Sequence, residues 1–308
     1  MKRLFQHAWV GPLIALVLVY GLFVALAPET FGSSVNLSTM ARQTAVVGIT
    51  ALGMTYVIML GGIDLSVGSA VALTSVVVAH GLRSGMGPVT AALIGIAVPA
   101  LFGCFNGAIV ARLGITPFIV TLGSMSLLRG LAKGLADEQK IDADPRGLET
   151  LMAGSGLVPA GVFIALGVAI AGALVLHYTV FGRHLVAIGS NANTARLCGV
   201  PVARVTLLVY ALAGALTGLA GVLEFSTLTV GDPTDSIGLE LEAIAAVVIG
   251  GASLAGGQGS IAGSMIGALL MTVIKTGCTH VGAPNWLQEI LTGVIIVVAV
   301  GIDRLRKR

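Results

Sequence analysis

The amino-acid sequence predicts an all-α polytopic membrane protein, a single domain over residues 1–308 with about ten transmembrane helices, some broken or re-entrant. Three observations carry that prediction. Hydrophobic residues make up 56% of the chain and charged residues only 10%, against about 25% charged in an ordinary soluble domain; the mean hydropathy is +1.00. Apolar runs long enough for a hydrocarbon core of about 30 Å recur along the whole sequence. The longest polar stretch, residues 137–150, is far too short to fold alone.

Punctuation by charge, Pro and Gly places the runs near residues 9–27, 43–60, 65–80, 89–111, 115–135, 158–179, 203–226, 241–255, 261–279 and 286–302. The first follows Met1, Lys2 and Arg3, and Ala25-Leu26-Ala27 mimics a cleavage site. Its apolar part is longer than a usual h-region of about 7–15 residues, and nine more spans follow, so it reads as an uncleaved helix. The runs 65–80 and 241–255 are short, and both abut Gly-rich stretches.

Charge gives orientation. With both termini cytoplasmic, Lys2, Arg3, Arg112, Arg183, Arg196, Arg204, Arg304, Arg306, Lys307 and Arg308 face inward, and Arg42, Arg83, Lys140 and Arg146 face outward. That asymmetry is the one expected of cytoplasmic loops. Asp137, Glu138, Asp142, Asp144, Glu149, Asp232 and Asp235 leave an acidic outer surface.

Most of the 43 glycines, Gly214, Gly218 and Gly221 among them, read as small residues that let helices approach closely. Two clusters differ, GGIDLSVGS at 61–69 and GGASLAGGQGS at 250–260. Both contain Gly-Gly-x-x-Leu, matching Gly61, Gly62 and Leu65 with Gly250, Gly251 and Leu254. The echo hints at two related halves with interrupted segments in matching places, as in many transporters. Gly61, Gly62, Asp64, Ser66, Gly250, Gly251 and Ser253 are therefore candidates for a broken-helix translocation path. Asp64 has two readings. It caps the next half-helix through the amide of Ser66 or Val67, worth about 1 kcal/mol, or it lines or gates a polar path.

The loop 181–205 is the inside loop long enough to hold structure. Asn191 or Asn193 suits a helix cap, Ala192 through Cys198 a short helix, Gly199 the left-handed residue after it, and Pro201 stops it. Such a helix, with Leu197 and Val200 exposed beside Arg196, is marginal unless it packs on something. It is a simple connector, or it docks in a groove on a cytoplasmic partner whose acidic residues meet Arg183, Arg196 and Arg204. Gly189 and Gly199 would then set the backbone bends.

Other classes fit less well. Cys104, Cys198 and Cys278 show no paired spacing, so neither a disulfide framework nor a metal site is expected. The chain has no GxxxxGK[ST] phosphate loop, so ATP hydrolysis would fall to another subunit. An ion-coupled secondary transporter of a small polar solute is the alternative; it would have to use Asp64, Glu224, Arg129 or Lys275 as its intramembrane charges. An intramembrane hydrolase is disfavoured, because GASLAG at 251–256 is not a GxSxG elbow and His80, His177 and His280 fall at span ends.

Four stretches carry a resemblance: GMTYVIMLGGIDLSVGS (53–69), FNGAIVARLGITPFIVTLGSMSLLRG (105–130), FGRHLVAIGSNANTARLCGV (181–200) and LELEAIAAVVIGGASLAGGQGS (239–260). Through them the chain resembles the membrane permease subunit of bacterial ABC importers for simple sugars, the ribose, xylose and galactose type. It departs from the pattern at Leu239, where an aromatic residue is common, and at Glu242, where Asp is usual. The resemblance implies import of a monosaccharide or related polyol across the bacterial cytoplasmic (inner) membrane. It implies a second permease subunit, identical or paralogous, and a cytoplasmic ATPase that commonly has two fused nucleotide-binding domains and carries ATP and Mg. An extracytoplasmic sugar-binding protein would deliver substrate. No cofactor is implied for this chain. Arg183, Gly189, Asn191, Arg196, Leu197 and Gly199 would lie in the segment that couples it to the ATPase.

Overall fold

The computed structural model describes residues 10–153 and 158–306, the segment 302–306 through its backbone only. Lys2, Arg3, Lys307 and Arg308 of the predicted charge bias lie outside the described residues. A helix stands at each of the ten apolar runs: α1 (Val10–Leu26), α2 (Ser34–Met59), α3 (Val67–Arg83), α4 (Pro88–Leu113), α5 (Pro117–Leu135), α7 (Ala160–Tyr178), α10 (Val202–Leu228), α11 (Leu239–Ile249), α12 (Ile261–His280) and α13 (Asn285–Arg306). Three shorter helices complete the described set, α6 (Thr150–Ala153), α8 (Val180–Ser190) and α9 (Ala192–Leu197).

Five of these helices, α4, α5, α7, α10 and α12, are each long and apolar enough to cross a membrane. α2 is 26 residues long but less apolar, because it is the central post of the bundle and touches protein rather than lipid. Every residue from Ala45 to Met59 is buried. Its hydroxyls are satisfied locally: Thr50 and Thr55 donate to the carbonyls of Val46 and Ala51, at 2.9 and 2.7 Å. Against the core, α10 packs on α4 almost backbone to backbone. A Cβ at Gly214 would overlap the Pro99 carbonyl, and one at Gly218 the backbone of Ile96. This close approach is what small residues permit between apolar helices.

α11 is a half-helix. Its 11 residues rise about 16 Å at 1.5 Å each, roughly half the hydrocarbon core. The run predicted over 241–255 therefore stops short at Ile249, because Gly251 turns left-handed with φ of 91°. The Gly251 and Ala252 amides donate back to Val248 and Val247, at 3.0 and 3.1 Å. Those bonds satisfy carbonyls that a helix end leaves open.

At the opposite end of the bundle, the polar stretch 137–150 is tied to the loop after α10. β1 (Ile141–Asp142) pairs antiparallel with β2 (Val230–Gly231). Lys140 Nζ sits 2.9 Å from Asp232 Oδ2. From α5, Arg129 Nη1 donates to the carbonyls of Pro233 and Asp235, at 2.9 and 2.8 Å. Arg129 is thus a strut for a loop rather than a free intramembrane charge.

Candidate coupling and broken-helix site

The first break runs from Leu60 to Ser66. α2 ends at Met59, Gly61 has φ of 91°, and the Gly61 and Gly62 amides donate to Ile58 and Val57, both at 2.9 Å. This is the same capping geometry that ends α11 at Gly251 and Ala252. The two breaks therefore correspond, but one residue out of the predicted alignment: Gly61 matches Gly251, and Gly62 matches Ala252. Gly250 is a glycine for another reason, since a Cβ there would strike the backbone of Gly263 and Ser264 in α12. Gly62 likewise leaves room for the Tyr210 hydroxyl.

Asp64 lies in this first break and is buried. Its Oδ1 accepts from the Ser66 amide at 2.9 Å and the Ser66 hydroxyl at 2.5 Å. The next helix, α3, begins at Val67. Beside it is a space of only about 10 Å3, bordered also by Asn106 and Thr217, the size at which a cavity first holds one water. Asn106 and Ser124 share a hydrogen bond of 2.5 Å. The expected bond from the Ser66 amide is present, but Ser66 is itself the N-cap residue of α3 and no side chain caps that helix, so Asp64 holds the turn before α3 rather than its end; its surroundings are closed. In the second break, Ser253 is buried; its amide donates to the Gln258 carbonyl at 3.0 Å, and its hydroxyl accepts from Ala255 at 3.2 Å.

The segment 181–205 is more ordered than its sequence suggests. Thr179 ends α7 by donating to the Val175 carbonyl at 2.6 Å, and starts α8 by accepting from the Gly182 amide at 3.3 Å. α8 buries Gly182, Leu185 and Ile188 and leaves Arg183 exposed. Asn191 then caps α9, its Oδ1 accepting from the Thr194 amide at 2.9 Å. Gly199, at φ of 82°, closes α9 with its amide donating to Arg196 at 3.0 Å. Leu197 is 90% exposed. Arg196 and Arg204 are exposed too, and among the described residues Arg183, Arg196 and Arg204 have no ion-pair partner. Two expectations need correction. Val200 packs against the core rather than standing beside Leu197. Gly189 makes no bend, because it lies within α8.

What Gly189 does is bring the three segments together. A Cβ on it would overlap the Met59 carbonyl and the Gly257 amide, and Gly256 lies against the Gly189 backbone. The Gly257 amide donates to the Met59 carbonyl at 2.8 Å. The end of α2, the second break and α8 thus meet in one backbone knot, two residues before the cap of α9. Sequence reasoning singled out Gly189 but missed Met59, Gly256 and Gly257, and Ser190, whose hydroxyl lies against Gly257. The available signal was the run of Gly256, Gly257 and Gly259 after Ser253, more glycines than one turn needs.

Residues 36–300 match the family described as branched-chain amino acid transport system / permease component. The chain belongs to that permease family. The match takes in every apolar run but the first, both breaks and the segment 181–205. Among curated relatives, the permease is 37% identical over 314 residues to the ribose import permease of Escherichia coli K12, covering 99% of this chain and 98% of the relative. It is 38% identical over 299 residues to the ribose import permease of Bacillus subtilis, covering 96% and 92%. It is 32% identical over 297 residues to the D-allose permease of Escherichia coli K12, covering 96% and 91%. No solved structure matches the permease.

Proposed function

We propose that this permease imports a monosaccharide or related polyol across a bacterial cytoplasmic membrane, driven by ATP hydrolysis on a separate cytoplasmic ATPase. The observation that carries the reading is the near end-to-end match to permeases named for ribose, allose and, in Rhizobium meliloti, fructose import. The family also bears an amino-acid name, so solute class is the first thing to test.

In this reading both termini are cytoplasmic, and α9 is the docking helix. Leu197 fills an apolar groove on the ATPase while Arg183 and Arg196 meet acidic groups at its rim, and Asn191 and Gly199 fix the two ends of the helix. Gly189 passes its displacement to the breaks. Gly61, Gly62, Asp64 and Ser66, with Gly250, Gly251 and Ser253, form the paired hinges beside the path. A second permease subunit completes that path, the ATPase carries two fused nucleotide-binding domains with ATP and Mg, and a sugar-binding protein docks on the acidic outer loops. ATP binding shifts the population between inward-open and outward-open states through these contacts.

The test is uptake into vesicles holding the permease, its ATPase and its binding protein, with D-ribose, D-allose, D-fructose, myo-inositol and L-leucine offered separately. ATP-dependent uptake of a sugar or polyol that survives an uncoupler is the expected result. Leucine uptake alone would move the solute to amino acids. Uptake indifferent to ATP and abolished by the uncoupler would make the protein an ion-coupled carrier.

A further inference from the structure

At the end of the bundle opposite the coupling segment, a cavity of about 270 Å3 opens between α2, α10, α11 and α12. Gln43, Glu224, Asp235, Glu242, Thr272 and Lys275 supply its polar wall. Five of these six side chains are already engaged; Asp235 Oδ2, for one, accepts from the Ser236 hydroxyl at 3.0 Å. Lys275 Nζ lies 2.7 Å from Glu242 Oε1. Gln43 accepts from the Thr276 hydroxyl at 3.1 Å, which leaves its amide nitrogen free for another partner. Thr272 donates to the Ala268 carbonyl at 3.0 Å and keeps its own lone pairs.

Glu224 is different. It is half-buried, and among the described residues its carboxylate has neither a hydrogen bond nor an ion pair. Asp235, Glu242 and Lys275 are the charged groups that face it. A carboxylate so placed, with two others near it, calls for donors from outside the protein.

We infer that this cavity is a sugar subsite, in which the hydroxyls of a monosaccharide or polyol bridge Glu224, Glu242, Lys275 and Gln43. The inference rests on the sugar-import reading and gives it a place in the chain. A polyol is neutral and carries both donors and acceptors, and the wall offers both. The volume lies just below the about 300 Å3 at which ordinary small-molecule pockets begin, which suits a single sugar ring. It is far larger than a bare cation needs, and among the described residues no group of His, Cys, Asp and Glu side chains is arranged to hold a metal. Among the described residues no aromatic side chain lines the cavity, so they offer a sugar ring no stacking face there. Its hold is the weak one that a site on a route must have.

The test uses the assembled complex of permease, ATPase and binding protein, carrying Ile237→Cys. Ile237 lines the cavity and is exposed, so an impermeant methanethiosulfonate reagent can reach the new thiol, and peptide mass spectrometry separates it from the native cysteines. The sugar that the wild-type complex imports, D-ribose first, should slow the modification severalfold, while choline and L-leucine should not. Adding Glu224→Gln, which keeps shape, should weaken that protection about tenfold, the loss of a hydrogen bond to a charged group. If Glu224→Gln fails to copurify with the ATPase, Thr272→Val takes its place with the same expected direction. Modification indifferent to an imported sugar, protection by choline instead, or protection unchanged by the substitution overturns the inference. If the wild-type complex imports no sugar at all, it is the sugar-import reading that fails.

Discussion

Replacing Gly189 by alanine probes the backbone knot directly. The added methyl has nowhere to go, because the atoms it meets are the Met59 carbonyl and the Gly257 amide, both main chain. A flexible side chain could move aside; the backbone at the end of α2 and the buried turn hydrogen-bonded to it cannot do so without parting. Overpacking a tight core site costs about 1–3 kcal/mol. Parting Gly257 from Met59 breaks a 2.8 Å hydrogen bond, and leaving its buried groups unsatisfied costs about 1–3 kcal/mol more. Middle values give roughly 4 kcal/mol, a large fraction of the margin by which a domain is folded. Thermal unfolding of the detergent-solubilised permease reads this as a fall in Tm of at least about 5 °C, taking a few degrees per kcal/mol. Gly199→Ala is the control. It strains a left-handed residue in open space, so only the end of α9 should respond, with a cost of about 1 kcal/mol. A Gly189→Ala protein that melts with the wild type would show that α8 and the breaks do not meet in this way.

Asp64→Asn keeps an acceptor for the Ser66 amide and hydroxyl, so it should melt near the wild type, whereas Asp64→Ala should lose about 1–3 kcal/mol; an inactive but well-folded Asn variant would mean the charge itself is used. Arg196→Glu, at an exposed side chain with no ion-pair partner among the described residues, should abolish copurification with the ATPase without moving Tm, and retained copurification would remove Arg196 from the docking surface. Cys198 is exposed and should react with an impermeant thiol reagent only in inside-out vesicles; labelling of right-side-out vesicles would invert the orientation. Burial pushes the Asp232 carboxyl up, but hydrogen bonds from Thr234 and Lys140 outweigh it and hold the group below its usual range. Its contribution is therefore present above about pH 4, the ordinary Asp value, and is lost only as pH falls through the lower folded value; Asp232→Asn should raise amide exchange at Val230 and Gly231 about threefold at neutral pH, and an unchanged rate would show that the Lys140 contact does not hold the strands.

What the sequence displayed was whatever repeats within one segment. Ten apolar runs, a cap at Asn191, a stop at Gly199 and Pro201, and the Asp64 contact with Ser66 are all local, so each could be read from a few neighbouring residues. Segment 180–190 escaped because its buried face is narrow, Gly182, Leu185 and Ile188, while Val180 and Val186 are exposed beside Arg183, so the sequence pattern does not separate a buried from an exposed side. The one-residue error in matching the breaks has the same root. Two adjacent glycines look alike in sequence, yet at the first break Gly61 takes the left-handed turn, while at the second Gly250 makes room for α12 and Gly251 takes the turn. Conformation and clearance select the same residue, and only the neighbouring helix tells them apart. Gly189 is the extreme case. Its need for a missing side chain comes from Met59, 130 positions earlier, and from Gly257, 68 positions later, and no period in the sequence encodes that meeting. If the ATPase drives the permease from α9, the shortest route for the force is through main-chain atoms in direct contact, those of Gly189, the Met59 carbonyl and the Gly257 amide. Such contacts fit or separate with little between, and that stiffness is what a coupling between a docking helix and two hinges requires.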